Sequence, residues 1–304
     1  MPRARKPQRI VVAGASGLIG VELVRQLREQ GDEVVRLVRG TPSAPDEVNW
    51  APASGVLDDG VLDGTDAVVN LAGASIGRIP WTPKYRRTLV ESRIGPTRLL
   101  AEAMGRVANP PKAFLSASAV GFYGDRPGVR LTEDSEPGKG FLPRLVEDWE
   151  AAARLAPWRT RVVHLRTAVV VAPKGGGLGP VKTLTSFGLG ARFGSGGQVW
   201  PWISLYDEAA AIRHLLRSRL RGAVNLAGPT PATSDRITHD YARLMRRPYL
   251  FVVPEAFVRL LGEAGQRLLL DSATVLPVKL EADGFRWRDE TVDSAIAAAL
   301  AKGD

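Results

Sequence analysis

Residues 10–20 read IVVAGASGLIG, and this stretch decides the fold. A short apolar run ends at Ala13, glycines follow at positions 14, 17 and 20, and a helical pattern begins after them. In such a unit the first glycine permits a tight turn, the second lets the backbone approach a phosphate, and the third lets the helix pack against the strand. The helix start then presents backbone N–H groups to an anion. We therefore predict a turn that binds the pyrophosphate of a dinucleotide through Gly14, Ser16, Gly17, Leu18, Ile19 and Gly20.

Downstream of this turn, apolar runs alternate with amphipathic segments, as in βαβ units. The pattern predicts further strands at residues 34–38, 67–72, 113–116 and 161–166, and a helix that opens at Thr82-Pro83. These runs are apolar enough to be buried on both faces, which is typical of parallel sheets. The predicted fold class is therefore α/β, with a doubly wound, mostly parallel sheet.

The composition of the sequence changes after Pro173, where glycine-rich stretches begin that are typical of loops. We predict a dinucleotide-binding domain over residues 1–173 and a smaller α+β C-terminal lobe over residues 174–304 that serves the substrate. A late apolar run at residues 223–226 is expected to return to the sheet of the first domain.

Composition excludes several classes of site. The 304 residues include no cysteine, so disulfides, thiolate catalysis and cysteine metal sites are ruled out. The three histidines are far apart in sequence, and no metal site is predicted. No apolar stretch approaches the roughly 20 residues of a membrane span, and no signal core precedes the first strand. We expect a cytoplasmic protein without a membrane partner.

The formal net charge of +9 raises the question of nucleic-acid binding. Four of the cations, Arg3, Arg5, Lys6 and Arg9, lie in a short N-terminal tail, and most of the others are spaced along predicted helix faces. No nucleic-acid-binding motif accompanies them. Basic charge equally favours ligands that carry phosphate, so a nucleic-acid partner is not expected.

The end of the second predicted strand indicates which dinucleotide fits. An acidic residue there would bind a free ribose 2′-hydroxyl, whereas an arginine would pair with a 2′-phosphate. The chain offers Arg36 and Arg39 and no acid before Asp46. We predict NADP(H) as cofactor, with Arg39 on its 2′-phosphate; the alternative is that Arg39 is simply solvated. The small residues that follow strand 67–72 predict further cofactor contacts at Leu71, Ala72 and Gly73.

Candidate catalytic hydroxyls follow the strand at residues 113–116. Ser118 and Tyr123 are placed where nicotinamide and substrate should meet, Ser118 as a hydrogen-bonding group and Tyr123 as a proton donor. The alternative is that Tyr123 packs in the interior with a satisfied hydroxyl. None of the five tyrosines is followed four residues later by a lysine.

Several segments together resemble one known family. They are residues 14–20, 70–76 (NLAGASI), 116–124 (SASAVGFYG), 140–142 with 148–150, 165–167, 201–203 with Asp207, and 277–280 (PVKL). The chain resembles the extended short-chain dehydrogenase/reductases of the NAD(P)-dependent epimerase/dehydratase group, in an atypical branch that carries a C-terminal domain of unknown function.

This resemblance implies a Rossmann-type lobe, a small substrate lobe and NADP(H). Ser118 matches the serine of the family, whereas its Tyr-x-x-x-Lys pair has no match, because the corresponding region reads FLPRLV over residues 141–146. The chain is therefore predicted to be an NADP(H)-dependent oxidoreductase or epimerase with an atypical active site. Its substrate would be a small molecule such as a carbonyl compound or a nucleotide sugar. The alternative is a protein that binds NADP(H) for sensing or regulation without turnover.

Overall fold

A computed structural model describes residues 6–302, so Arg3 and Arg5 of the basic tail lie outside the described residues. The strands are β1 (Arg9–Ala13), β2 (Glu33–Val38), β3 (Glu47–Ala51), β4 (Val56–Leu57), β5 (Ala67–Asn70), β6 (Ala113–Ala119), β7 (Arg126–Leu131), β8 (Arg161–Thr167), β9 (Val169–Val171), β10 (Gly190–Phe193), β11 (Trp202–Ser204), β12 (Gly222–Leu226), β13 (Tyr249–Val253) and β14 (Ala273–Val275). The helices are α1 (Leu18–Glu29), α2 (Pro83–Met104), α3 (Phe141–Ala153), α4 (Gly179–Ser186), α5 (Leu205–Arg217), α6 (Ser234–Leu244), α7 (Glu255–Arg259), α8 (Gly262–Gly265), α9 (Val278–Ala282) and α10 (Val292–Ala301).

The main sheet has eight strands in the order β12-β8-β6-β5-β1-β2-β3-β4. All neighbours are parallel except β3 and β4. Because β1 lies between β2 and β5, the chain leaves β1 in one direction and later crosses to its other side. This reversal creates a crevice at the carboxyl ends of β1 and β5, which is where ligands bind in such sheets. The predicted doubly wound α/β fold is confirmed.

Both faces of the sheet are covered by helices. On one face the apolar sides of α1 and α5 meet the sheet, with Leu27 and Ile212 wholly buried. On the other face α2 and α3 pack against the sheet, with Leu100 and Ala153 wholly buried. This double cover explains why the strand sequences are continuously apolar rather than alternating.

A smaller lobe follows, built around α4, α6 and α10 and the two-stranded parallel pair β10–β13. Its core includes Trp202, Tyr241 and Ile296, all nearly or wholly buried. The chain returns to the main sheet in β12, which pairs in parallel with β8. No helix within residues 6–302 is both long and apolar enough to cross a membrane.

Candidate functional site

The glycine turn after β1 closes against the loop that leaves β5. Gly14 has a φ of +78°, and a Cβ on it would lie 2.7 Å from both the carbonyl carbon and the oxygen of Leu71. The N–H of Gly17 donates to the Gly14 carbonyl at 3.0 Å, and a Cβ on Gly20 would overlap that same carbonyl oxygen. Side chains at Gly14 and Gly20 would therefore force the strand, the turn and the helix apart.

Helix α1 presents an open N-terminus at this turn. Gly17 is its N-cap, no side chain caps it, and its first turn holds no acidic residue. The leading N–H groups of a helix have no partner inside the helix, so those of Leu18, Ile19 and Gly20 are available to an anion. Ser16 and Gly17 are exposed beside them. These atoms form the kind of site that binds a phosphate.

The loop after β5 forms the opposite wall of the crevice. The N–H of Leu71 donates to the Ala13 carbonyl at 2.9 Å. The buried Asn70 side chain accepts from the N–H of Ala72 at 3.1 Å and donates to the Thr97 hydroxyl at 2.8 Å. These bonds hold Leu71, Ala72 and Gly73 next to the glycine turn.

Arg93 on α2 is a cation beside this wall that the sequence did not reveal. Its side chain lies 3.5 Å from where a Cβ of Gly73 would be, and it donates to the carbonyls of Ala74 (2.9 Å) and Leu89 (3.1 Å). Burial lowers the pKa of Arg93 to about 10, which leaves it charged at neutral pH. A helical spacing alone does not distinguish it from the other arginines of α2.

Arg36 of β2 and Arg39, which follows the strand, have different surroundings. Arg36 donates to both carboxylate oxygens of Asp46, at 2.7 and 2.8 Å, and also pairs with Glu47. Arg39 is exposed just beyond the end of β2 and makes no ion pair with any residue in the 6–302 range. The charge of Arg36 is therefore already paired within the protein, and Arg39 is the arginine of the two that is available to a ligand.

Ser118 belongs to a buried polar network beneath α3. Its hydroxyl donates to Glu150 Oε1 at 2.7 Å. Arg166 Nε donates to the same oxygen at 2.8 Å, and Nη2 donates to Oε2 at 3.1 Å. Burial opposes the charge of Glu150, but the hydrogen bonds and charge of Arg166 outweigh it and lower the pKa of the carboxyl. Glu150 is therefore an ionised carboxylate held against a serine hydroxyl.

Tyr123 lies at the other end of this network and has no exposed surface. Its hydroxyl donates to Asn225 Oδ1 at 2.6 Å and accepts from Arg166 Nη1 at 3.0 Å. Burial raises the pKa of the phenol, against the opposing effect of Arg166. The structure thus brings Ser118 and Tyr123 to one ion pair, but the Tyr123 hydroxyl is satisfied inside the protein. This placement favours the alternative in which Tyr123 packs in the interior over a proton donor that faces substrate.

A second buried carboxyl was missed by the sequence reasoning. Thr167 lies directly across from Ala119 at the ends of β8 and β6, and both are half-buried. The Thr167 hydroxyl donates to Glu208 Oε1 at 2.8 Å, whereas Oε2 has no partner within residues 6–302. Glu208 is wholly buried, and burial raises its pKa to about 8. Its position in α5 gave no sign of this, because an acidic residue in the first turn of a helix is ordinary.

These features can be set beside known proteins. The family model described as the NAD dependent epimerase/dehydratase family matches residues 10–227, which is most of the chain. The chain belongs to this family. A second model, a domain of unknown function called DUF1731, matches residues 253–299. The predicted family and its atypical C-terminal domain are both confirmed.

Family members with a similar sequence cover almost the whole chain. The epimerase family protein ML0860 of Mycobacterium leprae is 37% identical over 305 residues, covering 99% of each chain. The crystal structure of human epimerase family protein SDR39U1 with NADPH has a TM-score of 0.88 and 31% identity, covering 96% of this chain and 99% of that one. A nucleoside-diphosphate sugar epimerase from Corynebacterium glutamicum has a TM-score of 0.81 and 32% identity, covering 98% of this chain and 59% of that one.

Proposed function

We propose that this epimerase-family protein binds NADP(H) across the crevice between β1 and β5 and is an oxidoreductase or epimerase. The observation that carries the proposal is the glycine cradle at Gly14, next to an uncapped helix and an unpaired arginine at the end of β2. The cradle leaves the backbone open to a pyrophosphate, and a similar human protein was crystallised with NADPH. We extend the proposal to a cytoplasmic location and to the division into residues 1–173 and 174–304.

Each part of the cofactor has residues that fit it. The N–H groups at the start of α1 would hold the pyrophosphate, and Arg39 would pair with the 2′-phosphate. Leu71, Ala72 and Gly73 would support the half that carries nicotinamide, which would lie toward Ala119 and Thr167. When bound, the cofactor supplies a group that accepts or gives a hydride.

The proton that accompanies this chemistry needs a protein group, and we assign it to Ser118. Its hydroxyl would accept a proton from a substrate hydroxyl while it passes its own to Glu150, at 2.7 Å. Arg166 keeps Glu150 ionised and fixes its orientation. Tyr123, through its bond to Arg166, is a positioning residue in this scheme. Ser118 and Glu150 would thus replace the missing Tyr-x-x-x-Lys pair.

The substrate proposed is a small molecule with an alcohol or carbonyl group. A nucleotide sugar is the class suggested by the name of the Corynebacterium glutamicum relative. A carbonyl compound without a nucleotide remains the second class, because the proton relay through Ser118 requires only an oxygen at the reacting carbon.

Replacing Arg39 with alanine is expected to weaken NADPH binding by about 10- to 100-fold and to leave NADH binding unchanged. An arginine–phosphate pair is a charge-assisted bond, and its loss costs about 1.5–3 kcal/mol. Calorimetric titration of both dinucleotides measures the two affinities. Arg98→Ala, which removes another exposed arginine from the second half of α2, is the control. Equal NADPH affinity in wild type and Arg39→Ala would contradict the role of Arg39.

Replacing Ser118 with alanine is expected to lower kcat by about 100-fold or more, since positioned acid–base groups contribute about that much. NADPH affinity should stay within twofold. The assay follows NADPH absorbance over a panel of carbonyl compounds, and product analysis over nucleotide sugars. Ser116→Ala is a matched control on the same strand face, because the Ser116 hydroxyl donates to its own neighbour, the Ala117 carbonyl, and has no other hydrogen-bond partner within residues 6–302. Tight NADPH binding without turnover of any compound would instead favour the regulatory alternative.

A further inference from the structure

A second cavity of about 480 Å³ lies away from the crevice, between α5, the end of α1 and residues 284–288. Four arginines line it: Arg213, Arg217, Arg286 and Arg288. Neither aspartate nor glutamate is among its lining residues. It shares no residue with the glycine turn, with the loop at residues 71–73, or with the Ser118 network. The cavity is therefore a separate feature of the fold.

Two of these arginines make no ion pair among the described residues. Arg217 pairs with Asp32 at 3.0 Å, and Arg288 pairs with Asp289 at 2.5 Å. Arg213 and Arg286 make no ion pair within the part of the chain that the structure describes. Two unneutralised guanidinium groups at one cavity favour an anion with several oxygens, such as a phosphate.

Aromatic rings occupy the same walls. Phe285 and Trp287 meet edge to face, with ring centroids 4.9 Å apart. The Arg288 guanidinium lies over the Tyr206 ring, 4.0 Å from its centroid. Aromatic rings and guanidinium planes are the surfaces on which nucleobases stack.

Hydrogen bonds to the rest of the protein fix the segment that carries Trp287 and Arg288. The buried Asp207 accepts from the backbone N–H groups of Arg288 and Asp289, each at 2.9 Å. The indole N–H of Trp287 donates to the Ala227 carbonyl at 3.0 Å. A binding surface that is already ordered loses little entropy when a ligand binds.

We propose that this cavity is a second binding site, for a free nucleotide. Phosphate oxygens would pair with Arg213 and Arg286, and the base would stack near Trp287 and Arg288. The volume lies in the range of sites for single small molecules. We therefore assign the site to one free nucleotide rather than to a nucleic-acid strand. This inference does not depend on the proposed chemistry at Ser118.

The test is a calorimetric titration of the full chain with AMP and with ATP, in saturating NADPH so that the crevice is filled. We expect binding of either nucleotide at micromolar to submillimolar concentration. The double variant Arg213→Ala/Arg286→Ala should weaken it at least tenfold while NADPH affinity stays unchanged, which also reports that the variant is folded. Arg219→Ala removes a nearby exposed arginine outside the cavity and should have no effect.

Two further titrations, with inorganic phosphate and with a single-stranded oligonucleotide, separate the alternatives. Inorganic phosphate should bind at least tenfold more weakly than AMP; equal binding would overturn the role of the aromatic rings. A single-stranded oligonucleotide that binds where AMP does not would overturn the free nucleotide as ligand. Nucleotide binding that the double variant leaves intact would overturn the site itself.

Discussion

Replacing Gly14 with alanine is expected to abolish NADPH binding and to destabilise the fold by about 3–5 kcal/mol. Two costs add. The backbone at Gly14 has a φ of +78°, and this conformation costs a residue with a Cβ atom about 1 kcal/mol or more. The new Cβ would also lie 2.7 Å from the Leu71 backbone, so β1 and β5 must separate at the crevice. A side-chain atom that overlaps rigid backbone is among the most destabilising packing changes.

Gly31 provides a matched control for this prediction. It has nearly the same φ, +79°, and apart from its chain neighbours no atom of residues 6–302 lies within 4 Å of where its Cβ would be. Gly31→Ala should cost only about 1 kcal/mol and leave NADPH affinity unchanged. Urea denaturation measures the first quantity and calorimetric titration the second. If the two variants lose equal stability, then the close approach of Gly14 to Leu71 is not what requires a glycine.

The second large effect is expected for Glu150→Gln, with a loss of about 3–5 kcal/mol in the free energy of unfolding. Glu150 and Arg166 are each only 5% exposed as side chains. Removing the carboxylate leaves the guanidinium buried without a counter-charge, which costs far more than an exposed pair. Ser118 and Tyr123 should also lose their fixed positions, because both bond directly to this ion pair.

Urea denaturation of two comparison variants tests this reasoning. Glu29→Gln breaks an ion pair with Arg25 whose side chains are 60% and 42% exposed, and it should change stability by no more than about 0.5 kcal/mol. Glu150→Gln/Arg166→Met removes both buried charges and should recover part of the loss. A Glu150→Gln variant as stable as Glu29→Gln would show that the buried pair does not hold the network together.

Some of the site could be predicted because its signals are local. The turn, the N-terminus of α1 and the open backbone all come from consecutive residues, in which Gly14, Gly17 and Gly20 have separate steric tasks. Arg39 could be singled out for a similar reason, since it follows directly on an apolar strand. The parallel class of the sheet was accessible as well, because buried parallel strands carry continuous apolar runs.

Other parts of the site depend on residues far apart in the chain. Tyr123 bonds with Asn225, 102 positions away, and with Arg166, 43 positions away. Nothing near Tyr123 in the sequence indicates that its hydroxyl is satisfied inside the protein. Glu208 likewise looks like a helix residue facing water until β8 places Thr167 against it.

The amino-acid order alone was enough for the fold class and for the close-packed glycine turn after β1, because the steric requirements of a turn act between neighbours. The dinucleotide on this turn and the role of Arg39 are predictions from the same local signals. The environments of Ser118, Tyr123 and Glu208 emerged only from the folded chain. Burial and hydrogen-bond partners set the protonation of a side chain, and in this protein those partners come from different strands and helices. Folding therefore decides which of the two buried candidate hydroxyls is bonded to an ionised carboxylate and which is bonded to an amide oxygen.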